Sequence, residues 1–138
     1  MSEPEIATTP EEFLRRRQLL TAALRSGDYA QSTCFLNRVE SVEGVPAGFC
    51  CLGVATDIFH KETGQGEWSD DGIFLHGGEK AASILPVAVQ KWFGFNSSMG
   101  RHVSESGVAC FLTAINDHGA TFVQIADIID SNPEDMFE

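Results

Sequence analysis

Two cysteines stand side by side in an unbroken apolar run, Phe49-Cys50-Cys51-Leu52-Gly53-Val54, and this run constrains the fold more than any other segment. Such a pair is neither a usual disulfide nor a usual metal knuckle. Apolar residues continue at 51, 52, 54, 55, 58 and 59, a spacing that predicts a mostly buried helix from Phe49 to about Lys61, stopping near Gly64. Cys50 and Cys51 then sit at its first turn, where three roles are open to them. They are a nucleophile at a helix start, small buried hydrophobes, or part of a ligand pocket.

Such a helix needs a core, and 138 residues with 43% hydrophobic content and ten Phe suffice for one domain without staples. Four cysteines without secretory spacing, and an N-terminus lacking a basic start and an apolar stretch, point to free thiols in a reducing cytosol. No apolar run reaches the roughly 18–20 residues that span a bilayer, so no membrane association is expected. Nine Lys plus Arg against twenty Asp plus Glu give a net charge of -11, which disfavours direct nucleic-acid binding. The acidity suits either solubility or a basic protein surface. Arg15-Arg16-Arg17 spreads around a helix as a solvated face plus one snorkelling stem.

Thr9-Pro10-Glu11-Glu12 announces a first helix running from about Pro10 to Arg25, with Phe13, Leu20, Leu24 and the stem of Arg17 on one stripe and Ser26-Gly27 as the stop. Residues 1–8 are expected to fray. Ser32 to Val39 reads as a strand and Glu43 to Gly48 as a turn. Glu67-Trp68 and Ile73-Phe74-Leu75 flank a turn at Ser69-Asp70-Asp71-Gly72, which reads as a hairpin or covering loop. A short helix opens at Leu85-Pro86 and ends at Phe93 before Gly94, and residues 94–107 form a loop. Val108 to Ile115 fits strand or helix, and Asn116 to Gly119 is a turn. A last helix is capped by Thr121 with Gln124 and buries Phe122, Ile125, Ala126 and Ile129, leaving residues 131–138 frayed after Pro133. The class is α+β, with about four helices around a small antiparallel sheet.

Three motifs carry a resemblance. Phe-Cys-Cys-Leu-Gly-Val with Asp57 behind it, Leu85-Pro86-x-x-Val89-x-x-Trp92, and the Asn-Asp-x-Gly-x-Thr-Phe-x-x-Ile-Ala-Asp run over 116–127 resemble an uncharacterised family of small tailed-bacteriophage proteins. The likeness covers about residues 12–130, with a longer segment at Val39 to Ala47 than the family usually carries. It implies a phage accessory protein in the cytoplasm of an infected bacterium, and it transfers no catalytic residue. Ile115 to Ile129 is also similar to the first helix and turn of helix-turn-helix domains, but no basic recognition helix follows.

A helix start lowers a thiol pKa and would make Cys50 or Cys51 a nucleophile, given a His partner such as His118, His76 or His102 and an orienting Asn116 or Asp117. No recognisable signature joins them. The cysteines lack metal-ligand spacing and the glycines lack a phosphate-loop pattern, so neither a metal nor a cofactor is expected. Trp68, Phe74 and Trp92 beside Gly-rich loops are candidates for stacking a purine, with Arg38 or Arg101 on a phosphate. Asp57, two turns beyond Cys50 on nearly the same face, accepts hydrogen bonds from a neighbouring loop or contacts the ligand. The sequence thus points to an anti-defence protein that binds and sequesters a small nucleotide signal or a host protein, alone or as a homo-oligomer. The alternatives are a cysteine-dependent hydrolase or transferase and a structural interaction module.

Overall fold

The computed structural model of the chain describes residues 9–33, 35–39, 47–104 and 106–137. Helix α1 (Pro10–Ser26) begins where its sequence marks it. Thr9 Oγ1 accepts the Glu12 N–H at 3.1 Å, Pro10 fills the first turn, and Gly27 closes the helix in a left-handed conformation. Its buried face is Leu20, Thr21 and Leu24. The second arginine of the run, Arg16, lies over the Trp92 ring at 4.4 Å and donates to the Trp92 carbonyl at 2.8 Å.

Strand β1 (Asn37–Arg38) pairs antiparallel with β2 (Gly48–Phe49). The strand expected over Ser32 to Val39 shrinks to these two residues, and a separate parallel bridge joins Gln31 to Phe49. Cys34 and most of the turn expected before Gly48 lie outside the described residues, as does the expected fraying of residues 1–8. Helix α2 (Cys51–Thr63) follows, with every residue from Cys51 to Phe59 buried. Gly53 explains the small residue in its first turns: a β-carbon there would stand 1.7 Å from the Leu36 carbonyl oxygen. The chain at Leu36 therefore crosses directly over the helix backbone.

The expected hairpin forms and gains a third strand. Strands β3 (Glu67–Trp68), β4 (Phe74–His76) and β5 (Glu79–Ala81) make an antiparallel meander, with Trp68 opposite Phe74 and Phe74 opposite Ala81. Helix α3 (Val87–Phe93) ends at Gly94 as its sequence requires, while Pro86 stands at the N-cap, one position before the helix. The loop expected over 94–107 contains strand β6 (Arg101–Val103), which pairs antiparallel with β7 (Ala109–Phe111). Val108 to Ile115 divides between both readings: β7 runs straight into a short helix α4 (Leu112–Asp117), so the turn begins only at His118. Helix α5 (Phe122–Asp130) carries the full capping box of Thr121 and Gln124. The fold is α+β, with five helices and three small antiparallel sheets among the described residues.

Over residues 131–137 the acidic tail is docked rather than frayed. Val103 N–H donates to Glu134 O at 2.8 Å, Asn96 N–H donates to Met136 O at 2.9 Å, and Met136 is fully buried. Phe137 stacks on Phe95 at 4.7 Å. Two apolar anchors outweigh the charges around them, because each buried large side chain contributes roughly 1.5–3 kcal/mol. One contiguous core joins α1, α2, α3 and α5 with the tail. No helix among the described residues is long and apolar enough to cross a membrane.

Candidate functional site

Cys50 is the N-cap of α2 and Cys51 its first residue, and both face the core, 3% and 1% exposed. Neither side chain caps the helix. Asn116 does so from α4: its Oδ1 accepts the Cys51 N–H at 3.2 Å and one Gln31 Nε2–H at 3.0 Å, while its Nδ2 donates to Ser32 O at 2.8 Å. Burial raises the Cys50 thiol to about 11 against the pull of nearby backbone N–H groups, and raises Cys51 further. The helix start, which would favour thiolate, loses to desolvation. The Cys51 thiol instead donates to Leu112 O at 3.7 Å.

No histidine hydrogen-bonds to either thiol among the described residues. His118 is exposed at the C-cap of α4, His76 contacts Gln65 Oε1, and His102 contacts Gly100 O on another ladder. Among the described residues no three His, Cys, Asp or Glu side chains cluster as metal ligands would.

Among the described residues, those expected to bind a ligand are engaged with one another and with the core. Asp57 is the hub of a closed network: it accepts from Tyr29 Oη at 2.6 Å and Trp68 Nε1 at 3.1 Å and pairs with Lys61 Nζ at 3.0 Å. Burial pushes its carboxyl up, but these three donors outweigh that and hold it below its ordinary value. Burial, then the bond to Asp57, raises Tyr29. Phe49 seals this network edge-on, 5.2 Å from Tyr29 and 5.9 Å from Trp68.

Phe74 has no exposed surface and meets Trp68 and Phe59 edge to face, so its ring offers no free stacking plane. Trp92 is covered by Arg16 and packs on Phe59 and Phe93. Arg38 lies over Phe35 at 4.7 Å and donates to Thr33 O. Arg101 is exposed and pairs with Asp135 at 3.5 Å. Phe74 is thus core, Trp68 and Trp92 are half-buried, and the Nε of Arg38 is buried without a partner.

The third arginine of the α1 run stands differently. Arg17 has its guanidinium 3.7 Å over the Phe137 ring, and among the described residues it makes no ion pair and no hydrogen bond. Its Nε is buried without a partner, and burial lowers its pKa. It lines a cleft of about 550 Å³ between α1 and the end of α5, with Leu14, Gln18, Thr21, Ile129 and Asn132. Arg25 and Asp130 at the same cleft are bound to each other at 2.5 Å, and Arg25 also holds Asp127 at 2.8 Å. Asn132 has a positive φ of 50° in the lining, a conformation that non-Gly residues rarely adopt. Arg17 was visible in the sequence only as a stem in the apolar stripe. Of three adjacent arginines, the one sharing that stripe must bring its head out at the edge of the core.

The pattern of a family described as a domain of unknown function, DUF8296, matches residues 15–133. The chain belongs to this family. Its span takes in Arg17, the start of α2, Asp57 and all of α5. No curated protein and no solved structure matches the chain.

Proposed function

We propose that this chain is a binding protein that captures a small, acceptor-rich anion in the cleft between α1 and α5, with Arg17 as the anchor. The observation that carries this reading is the unpaired guanidinium, held flat by Phe137 at the wall of a cleft of ligand size. A partly desolvated arginine without acceptors lowers stability, and a phosphate or carboxylate supplies the acceptors it lacks. Leu14 and Ile129 offer apolar surface beside it, while Gln18, Thr21 and Asn132 offer hydrogen bonds.

A small nucleotide signal fits this chemistry and the phage accessory role expected from the sequence motifs, in which sequestration neutralises a host defence. The sealed, neutral thiols of Cys50 and Cys51 weigh against the hydrolase or transferase alternative. A basic host protein is the second reading, favoured by the net charge of -11.

Titration calorimetry with nucleoside monophosphates, cyclic dinucleotides and ADP-ribose tests the proposal. Heat from at least one of them, lost by tenfold or more in affinity in Arg17→Met, supports it. Silence from all of them, or equal binding by Arg17→Met, sinks it.

A further inference from the structure

We propose that Cys110 is a thiol-exchange site served by His102, separate from the Arg17 cleft and independent of its ligand. The antiparallel register of β6 and β7 sets His102 directly opposite Cys110, and side chains so paired share one face of the ladder. Both line a second cleft of about 510 Å³, with Ser104 and Ser131 as polar rim and Ile115 and Ile128 as apolar wall. His102 is only 3% exposed, and its Nδ1 lies 3.0 Å from Gly100 O. A carbonyl oxygen only accepts, so Nδ1 carries the ring proton and Nε2 keeps its lone pair. Nε2 has no hydrogen-bond partner among the described residues, although the ring is almost entirely enclosed. Its free nitrogen shares a ladder face and a cleft with the Cys110 thiol, which in this structure donates to Val108 O and reaches the imidazole by a side-chain rotation.

Cys110 differs from Cys50 and Cys51 in the features that decide reactivity. It is half-buried at a cleft, whereas they are sealed in the core, and among the described residues its thiol makes one long hydrogen bond, 3.6 Å to Val108 O. The partner is a low-molecular-weight disulfide, R–S–S–R. His102 Nε2 takes the Cys110 proton, and the thiolate attacks one sulfur of the reagent. The Cys110–S bond forms as the reagent's S–S bond breaks, and the departing thiolate takes the proton from the imidazolium. The products are Cys110–S–S–R and R–SH.

The test exposes native protein to excess bis(2-hydroxyethyl) disulfide at neutral pH and follows each cysteine by peptide mass mapping. Cys110 is expected to react at least tenfold faster in native protein than in the same protein unfolded in urea, with Cys50 and Cys51 unmodified. His102→Gln, checked for folding by circular dichroism, is expected to lose that advantage, and dithiothreitol to restore the free thiol. A native Cys110 rate at or below the unfolded rate overturns the proposal from wild-type protein alone, whether or not His102→Gln folds. An undiminished rate in folded His102→Gln overturns it as well.

Discussion

The start of α2 and the cleft between α1 and α5 handle buried polarity in opposite ways. Around α2, Asp57 has Tyr29, Trp68 and Lys61 on its two oxygens, and Asn116 satisfies both a helix N–H and a carbonyl from another loop. At the cleft, Arg17 has an aromatic ring on one side and no acceptor among the described residues. A polar group with every valence filled from its own chain has nothing left for a ligand. One with none filled is held ready for something that the chain does not supply.

The sharpest way to break this contrast is at the sealed end. Gly53→Ala places a methyl against the Leu36 carbonyl, and the strand crossing or the helix must shift. A loss of about 3 kcal/mol or more is expected in urea unfolding, with no compensating relaxation because the obstacle is backbone. A Gly53→Ala protein of wild-type stability would show that α2 is not sealed by this crossing.

Asp57→Asn comes next. It keeps the shape but removes the charge that three donors share, and about 2–3 kcal/mol of stability should go with it at neutral pH. Because the folded Asp57 carboxyl sits below its ordinary value, its contribution is complete above the unfolded pKa of about 4 and disappears as pH falls through the lower folded value. The gap in melting temperature between wild type and Asp57→Asn should therefore close in acid. A gap that stays constant from pH 7 to pH 2 would mean that charge contributes nothing to the network.

The smallest expected effect lies at the open end and has the opposite sign. Arg17→Met removes a desolvated guanidinium and leaves an apolar stem over Phe137, so a gain of about 1 kcal/mol is expected in the same unfolding experiment. A loss instead would reassign Arg17 to structure and weaken the binding proposal.

The parts of this fold that were legible are those whose signals are local. Thr9 with Glu12, Gly27, Gly64, Gly94, and Thr121 with Gln124 mark helix ends through bonds spanning three or four residues, and these ends were read closely. Ladder β6–β7 and the two-residue remnant of the Ser32 to Val39 strand depend on partners elsewhere in the chain, and their extents were not legible. The tail misled for a related reason. Its acidic residues advertise solvent, yet Met136 and Phe137 bind it to Phe95, a contact that composition does not encode.

Site reading followed the same division. That the adjacent cysteines lie at a helix start was legible. Whether they face core or cleft depended on α4 arriving with Asn116. Trp68, Phe74 and Trp92 were legible as aromatics near loops, but the geometry that turned them on one another was not. The stem of Arg17 was legible in the apolar stripe, but its unpaired head was not, because an unpaired charge is a property of its surroundings.

The two tryptophans give each of these regions its own optical signature. Trp68 donates its indole N–H to the Asp57 carboxylate, so its emission follows the integrity of the sealed end. Trp92 lies beneath Arg16, on the helix that also presents Arg17, and its emission follows the arrival of charge beside α1. With no other tryptophan in the chain, replacing either with phenylalanine leaves a single-site reporter, and a pair of such variants follows the two regions separately.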